Sequence, residues 1–172
     1  MRDMKGAAFL IDTSSPTNLL SGAFDESKLE AIDAVNARIF QDVNNGAYRA
    51  GFSSNQATHE DAVRKYFAAF DWLNTMLSTS KYLLTSDVPS EADLRLFPTV
   101  YRHDTVYHSR MKLNVAMVSD YPHLNRWLLD MRGNAAVQRG SRIDHCIAGY
   151  FGRTGNGLVP FVGLEHDGVN PY

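Results

Sequence analysis

The first candidate for chemistry in this sequence is Tyr48, a phenol that is followed directly by Arg49 and flanked by Gly46 and Gly51. A phenol both donates and accepts hydrogen bonds, which is what a small polar ligand needs from the wall of a pocket. Glycines so close to the pair predict a sharp bend of the backbone that would present the phenol. The alternative is a helix end, in which Asn45 and Gly46 stop the helix and Tyr48 packs over its last turn.

A second polar group lies further along the chain, at Arg102, His103, Asp104 and Tyr107. Arg102 and Asp104 carry opposite charges, and buried groups of this kind usually pair with each other or with backbone carbonyls. The alternative is a pocket lining, and His103 and Tyr107 are the residues that would supply it.

Cys146 is the only cysteine, so no disulfide can form within the chain and a reducing compartment, the cytoplasm, is expected. It stands beside His145 in an apolar-periodic segment, where a lone cysteine usually acts as a small buried hydrophobe. The alternative is a reactive thiol that a nearby imidazolium activates. The six histidines include no pair spaced H-x-x-x-H, so no metal site is expected.

Length and composition indicate one globular domain. The chain has 172 residues, of which 44% are hydrophobic and 21% charged, enough to bury a sizeable core. The net charge of −2 predicts neither a nucleic-acid partner nor an anionic membrane surface. No apolar run approaches the roughly 20 residues that cross a bilayer, and the patch at Ala7–Ile11 is too short for a secretory signal.

Two long helices must position Tyr48. The first is predicted from Ser27, which with Glu30 forms a capping box, to about Asn45. The second is predicted from Thr58 to about Ser80, antiparallel to the first as in a bundle. Apolar residues at helical spacing mark their core faces: Leu29, Ile32, Val35, Ile39, Phe40 and Val43, then Val63, Phe67, Phe70, Leu73 and Leu77.

Ser90-Glu91-Ala92-Asp93 predicts the start of a central helix. Ser90 can cap the amide of Asp93 while the Asp93 carboxylate returns the bond to Ser90. Losing this cap through Asp93→Ala is expected to cost about 1–2 kcal/mol. A further helix is predicted from Tyr121-Pro122 onward, and the chain as a whole is predicted to be all-α. Its other core residues are Leu94, Leu96, Phe97, Val100, Val106, Leu124, Trp127, Leu128 and Met131.

Four segments resemble, in order and spacing, the helical half of glutathionyl-hydroquinone reductases, which are omega-like, or Xi-class, glutathione transferases. The first reproduces the family's N-N-G-x-Y-x-x-G-F, and the second continues beyond residue 99 through Arg102, Asp104, Val106-Tyr107-His108, Lys112 and Asn114. The four segments are residues 44–52, 91–99, 120–124, and Asp144-His145 followed by Tyr150. The resemblance implies a glutathione transferase C-terminal-like helical bundle at residues 25–163. It also implies a short remnant of the thioredoxin-like domain at residues 1–24 and a tail at residues 164–172.

The resemblance also implies binding residues. In that family two tyrosines hydrogen-bond the ring oxygens of the hydroquinone, and the matching positions are Tyr48 and Tyr150. An acidic-serine pair of the family binds glutathione, and Asp12 and Thr13 occupy that place here. With the two pocket-lining candidates Tyr107 and His103 added, the predicted ligand contacts are Tyr48, Tyr150, Tyr107 and His103 for the substrate, and Asp12 and Thr13 for glutathione. No catalytic residue is predicted, because the family's nucleophile is a cysteine on a C-P-x-A-like turn that this sequence does not contain.

The function implied by the resemblance is glutathione-dependent reduction of glutathionyl-hydroquinones. Without the cysteine half, the chain is expected to be inactive alone, as a fragment, a truncated product or an incomplete gene model. The alternative is a non-enzymatic module that binds an aromatic ligand or another subunit. The expected partners are a hydroquinone-like aromatic molecule, glutathione as cosubstrate and, since family members dimerise, a second copy of the chain.

Overall fold

The computed structural model of the protein describes residues 29–85, 87–152 and 158. Within these residues the chain is helical and forms no strand, which confirms the all-α prediction. None of these helices is long and apolar enough to cross a lipid bilayer. In chain order the helices are α1 (Leu29–Arg38), α2 (Asn45–Gly51), α3 (Gln56–Leu77), α4 (Glu91–Arg102), α5 (His108–Arg110), α6 (Pro122–Gly133), α7 (Ala135–Gly140) and α8 (Ile143–Phe151).

Three shorter helical turns link these elements. A π-helical turn at Ile39–Asn44 joins α1 to α2, and a second at His103–Tyr107 joins α4 to α5. A 3₁₀ turn at Val118–Asp120 precedes α6. The predicted remnant at residues 1–24, the Ser27 cap and the tail at residues 164–172 lie outside the described residues.

The first helix runs further than predicted. Asn45 and Gly46 do not end it, and the bend expected there does not form, because α2 continues as a regular helix to Gly51. The irregularity comes earlier, in the π-helical turn at Ile39–Asn44. Burial outweighs the low helix propensity of glycine, which costs about 1 kcal/mol per residue. The inner face of this turn and of α2 is fully packed, through Val43, Gly46, Ala47 and Ala50.

The second helix, α3, begins two residues earlier than predicted. Its cap is Asn55, whose side-chain oxygen accepts the Thr58 amide at 2.9 Å. Asparagine caps a helix at least as well as threonine, so Asn55 can replace Thr58 as the residue that begins α3. The predicted core face of α3 is confirmed: Phe67, Phe70, Leu73 and Leu77 are buried and Val63 is half-buried.

Asp93 joins three parts of the core. Its Oδ2 accepts the Ser90 amide at 2.8 Å and the Ser90 hydroxyl at 2.6 Å, which confirms the predicted capping box. Its Oδ1 accepts the Leu83 amide at 3.0 Å and Trp127 Nε1 at 2.7 Å. Burial raises the pKa of the Asp93 carboxyl, while these four hydrogen bonds act in the opposite direction. The residue therefore ties α4 to the preceding loop and to α6.

Candidate functional site

Three tyrosine hydroxyls meet at one point, and we call Tyr48, Tyr107 and Tyr150 the tyrosine cluster. The Tyr48 and Tyr150 oxygens are 2.5 Å apart, those of Tyr107 and Tyr150 are 3.1 Å apart, and those of Tyr48 and Tyr107 are 3.4 Å apart. Arg102 Nη1 donates to the Tyr107 oxygen at 3.5 Å. The three phenols predicted to contact a ligand are thus brought together by helices distant in the sequence.

Helix α2 carries Tyr48, and Asn44 at its start holds the helix in place. The Asn44 oxygen accepts the Thr99 hydroxyl at 2.8 Å, and its nitrogen donates to the Arg95 carbonyl at 3.2 Å. Both bonds reach across to α4, so the residue preceding Tyr48 by four positions fixes α2 against the central helix. The first asparagine of the N-N-G segment thereby has a structural role.

Tyr107 reaches the tyrosine cluster from the π-helical turn after α4, and Tyr150 reaches it from α8. Tyr107 ends the π-helical turn that follows α4 and is buried. Tyr150 lies in the last turn of α8, where its carbonyl accepts Arg110 Nε at 3.3 Å. The rings of Tyr107 and Tyr150 meet edge to face, with centroids 5.6 Å apart. This packing fixes the directions of both hydroxyls.

An open cavity of about 580 Å³ borders the cluster on the Tyr48 side. Its apolar element is Phe52, which is 71% exposed and stacks on Tyr48 with a centroid distance of 6.0 Å. The polar side chains of its wall are Asn45, Arg49, Ser53, Ser54, Thr58, Asp61 and Lys65. A cavity of this size, with an exposed ring and a phenol, suits a small aromatic ligand.

The hydroxyls of Tyr107 and Tyr150 stay protonated at physiological pH. Burial raises the pKa of the Tyr107 hydroxyl far above its usual range, and hydrogen bonds to Tyr150 and Tyr48 raise it further, while Arg102 acts in the opposite direction. Burial also raises the pKa of the Tyr150 hydroxyl. Both groups therefore act as neutral hydrogen-bond donors and acceptors rather than as phenolates.

Arg102 and Asp104 do not pair with each other, contrary to one of the sequence alternatives. Asp104 Oδ1 accepts the Val118 amide at 2.9 Å, and Arg102 points toward Tyr107. A spacing of two residues across the junction between α4 and the π-helical turn directs the two side chains apart. The sequence pattern therefore did not predict the contact between Arg102 and the hydroxyl of Tyr107.

His103 lies in the aromatic core and does not join the tyrosine cluster. Its ring is fully buried, with Nδ1 3.0 Å from the Tyr66 hydroxyl and Nε2 3.0 Å from the Ala116 carbonyl. The Tyr66 ring stacks on it with a centroid distance of 5.5 Å. Because both ring nitrogens are occupied and no face is open, this placement argues against the ligand contact predicted for His103.

The buried His103 predicts a loss of stability in mild acid. Burial lowers the pKa of His103, and His108 adds to this, whereas the Ala116 carbonyl and Asp104 act the other way. The unfolded histidine binds a proton near its ordinary pKa of about 6.5, so protonation favours the unfolded chain. This contribution is complete above the ordinary histidine pKa of about 6.5 and is lost progressively as the pH falls below it. Urea unfolding at a series of pH values measures it.

Two matched variants separate His103 from the other histidines. His103→Gln is expected to lower stability at pH 7 but to flatten the dependence on pH between about 7 and 5, since the titrating ring is gone. His123→Gln, at an exposed position, keeps the wild-type slope. An unchanged slope in His103→Gln would show that another group causes the acid sensitivity.

The remaining predicted residues lie elsewhere. Cys146 is half-buried and lines a different cavity from Tyr48. Asp12 and Thr13 lie outside the described residues. Within the described ranges, no three histidine, cysteine or carboxylate side chains converge in a way that could hold a metal ion.

Comparison with known proteins places the helices in a family. Residues 56–129 match the family described as glutathione S-transferase, C-terminal domain. Glutathionyl-hydroquinone reductase PcpF from Sphingobium chlorophenolicum is 36% identical over 140 residues, which make up 81% of this chain and 41% of that protein.

Solved structures agree with the sequence match. The glutathione-bound structure of YqjG, a glutathione transferase homologue from Escherichia coli K-12, has a TM-score of 0.76 and 31% identity, covering 80% of this chain and 46% of that one. Glutathione S-transferase Xi from Phanerochaete chrysosporium has a TM-score of 0.77 and 35% identity, covering 83% of this chain and 50% of that one. The chain thus spans half or less of the length of these relatives.

Proposed function

This chain carries the C-terminal helical domain of the glutathionyl-hydroquinone reductase family of glutathione transferases, and on that premise we propose that its tyrosine cluster binds a hydroquinone. One observation carries the proposal: the Tyr48, Tyr107 and Tyr150 hydroxyls converge within 3.4 Å of one another, and Tyr48 also lines an open cavity. A hydroquinone presents ring oxygens that both donate and accept, which matches neutral phenols.

The geometry indicates which hydrogen bond a ligand replaces. The contact between Tyr48 and Tyr107, at 3.4 Å, is the longest of the three and therefore the weakest. Tyr48 is also the member that lines the cavity. A ligand oxygen that takes the place of this contact leaves the two shorter contacts to Tyr150 intact. The exposed Phe52 ring then supplies an aromatic surface for the ligand ring.

The full reaction of the family needs a thiol that the tyrosine cluster does not contain. A thiolate attacks the glutathionyl sulfur, an S–S bond forms as the aromatic C–S bond breaks, and the ring carbon takes up a proton. A second glutathione then reduces the mixed disulfide. Cys146, the sole cysteine, lines another cavity, so we assign to this chain the binding of the hydroquinone and expect little turnover from it alone.

Binding of methylhydroquinone tests the proposal. Tyr48→Phe is expected to weaken binding about 2- to 10-fold, the size of one hydrogen bond worth about 0.5–1.5 kcal/mol. Tyr121→Phe, in which the changed hydroxyl lies outside the cluster, is the matched control and keeps the wild-type affinity. Isothermal titration calorimetry on the full chain measures both, with 1,4-dimethoxybenzene as a ligand that cannot donate. Equal affinity for the two ligands, or no effect of Tyr48→Phe, would contradict the proposal.

A turnover assay with a glutathionyl-hydroquinone and glutathione tests the assignment of the thiol. We expect a rate close to the uncatalysed one, because the family's cysteine turn is not in this sequence and Cys146 lines a different cavity from Tyr48. Rates like those of an intact reductase from the pure 172-residue chain would overturn this part of the proposal.

A non-enzymatic binding module is the second candidate, and the 71% exposure of Phe52 beside Tyr48 favours it. Such a ring suits either an aromatic ligand or another protein surface. Light scattering separates these cases: a monomer across the micromolar range that still binds methylhydroquinone leaves the small ligand as the occupant.

A further inference from the structure

A second cavity is lined by Arg102, the arginine that donates to Tyr107 of the tyrosine cluster. Its volume is about 370 Å³, within the range of small-ligand sites, and it is lined by side chains of α4, α7 and α8. A neighbouring cavity of about 500 Å³ shares Tyr101, Val137 and Ser141 with it. Neither is lined by a tyrosine of the cluster, although Arg102, which lines the 370 Å³ cavity, also donates to Tyr107.

One wall of the second cavity is aromatic. Phe97 and Tyr101 both line it, and their rings stack with centroids 5.1 Å apart and an interplanar angle of 20°. Phe97 is buried and Tyr101 is half-buried, so Tyr101 supplies most of the aromatic surface on which a planar ligand gains apolar burial and ring contacts.

The charge in the cavity comes from Arg102. Its Nε is buried without a hydrogen-bond partner, and the guanidinium contacts the Tyr107 hydroxyl, 3.5 Å from Nη1, and the Cys146 thiol. Among the described residues no carboxylate lies within salt-bridge distance of it. The other arginine of the lining, Arg142, is already paired with Asp144 at 2.7 Å. A partly buried guanidinium without an anion is costly, because its charge has lost water and gained no counter-charge.

We propose that this cavity binds a small planar aromatic carboxylate, with its ring against Phe97 and Tyr101 and its carboxylate on Arg102. The planar fork of a guanidinium matches a carboxylate, and Arg102 is a lining residue of this cavity. The protein as a whole has a net charge of −2, so general electrostatic attraction does not account for anion binding here.

The sole cysteine makes the site directly observable. Cys146 lines the same cavity and is half-buried, and the chain has no other thiol. The rate at which neutral N-ethylmaleimide modifies the protein therefore reports on this cavity alone. A ligand seated on Arg102 is expected to slow that modification.

The experiment compares 2-naphthoate with its neutral analogue 2-naphthamide on the full chain. Calorimetry gives the affinities and maleimide modification gives the location. We expect naphthoate to bind about ten-fold or more tightly than naphthamide and to protect Cys146, since a hydrogen-bonded charge pair replaces a neutral contact. Equal affinity of the two compounds, or naphthoate binding without protection of Cys146, would overturn the proposal.

Substitutions of Arg102 test whether its charge is the one that binds the carboxylate. Arg102→Met is expected to abolish the preference for naphthoate over naphthamide, and Arg102→Lys to keep only part of it, since lysine lacks the planar fork. Arg139→Gln, an exposed arginine of α7 outside the lining, is the matched control and keeps the full preference. Retention of the preference in Arg102→Met would contradict the assignment. If that variant does not fold, Tyr101→Leu still tests the aromatic wall, because it should weaken both ligands and leave the preference intact.

Discussion

Replacing Asp93 by alanine is expected to lower the free energy of unfolding by about 3–5 kcal/mol, more than the 1–2 kcal/mol of a simple helix cap. The carboxylate accepts four hydrogen bonds in a fully buried position, from Ser90 twice, from Leu83 and from Trp127. Alanine removes the acceptor and leaves these donors inside the core without partners. Urea unfolding followed by circular dichroism measures the loss.

Glu91→Ala is the matched control for Asp93→Ala. Glu91 belongs to the same first turn of α4, but its carboxylate is partly exposed and pairs with Arg95 at 2.6 Å. Its loss is expected to cost less than about 1 kcal/mol, as for surface ion pairs generally. A loss of only about 1–2 kcal/mol in Asp93→Ala would mean that the bonds to Leu83 and Trp127 add nothing to the cap.

Alanine substitutions at the two glycines of α2 are expected to change stability in opposite directions. A Cβ on Gly51 would overlap the Met111 sulfur and lie 3.1 Å from Met111 Cβ and Cγ. Because Met111 is buried and cannot move freely, Gly51→Ala is expected to cost about 1–3 kcal/mol. A Cβ on Gly46 would lie 3.5 Å from a Tyr66 carbon, an ordinary contact. Gly46→Ala is therefore expected to stabilise by about 0.5–1 kcal/mol through helix propensity.

Thermal melts of the two single variants test the sign of each effect. A double variant isolates the cause: a Met111→Ala background removes the sulfur and Cγ and leaves only the Cβ contact, so adding Gly51→Ala should cost less there. If both glycine variants shift stability in the same direction, or if Met111→Ala does not rescue Gly51→Ala, the steric explanation is wrong.

The glycines also show where a local pattern misleads. Gly46 and Gly51 predict a bend, and either glycine alone lowers helix propensity, but α2 stays helical because its inner face is buried against α3 and the core. Gly51 is required for close approach to Met111, which lies sixty positions further along the chain. No rule about neighbouring residues contains that information.

The elements predicted correctly are those that depend on neighbouring residues. The apolar stripe of α3, the capping box of Ser90 and Asp93 and the start of α6 at Pro122 involve residues within a few positions of one another. The predictions that needed correction involve competition between local signals or distant packing. Asn55 displaced Thr58 as the start of α3, and distant packing placed His103 in the aromatic core, away from the tyrosine cluster.

The sequence by itself determined that this chain is helical and that it carries tyrosines at positions 48, 107 and 150 beside family-like segments. Only the tertiary structure decided that their hydroxyls meet, because Tyr48 is separated by 59 residues from Tyr107 and by 102 from Tyr150. It also decided that Arg102 borders both the tyrosine cluster and a second cavity. Helix periodicity in the sequence predicts which face of a helix is buried. Which polar side chains come into contact depends on how the buried faces of different helices pack against each other.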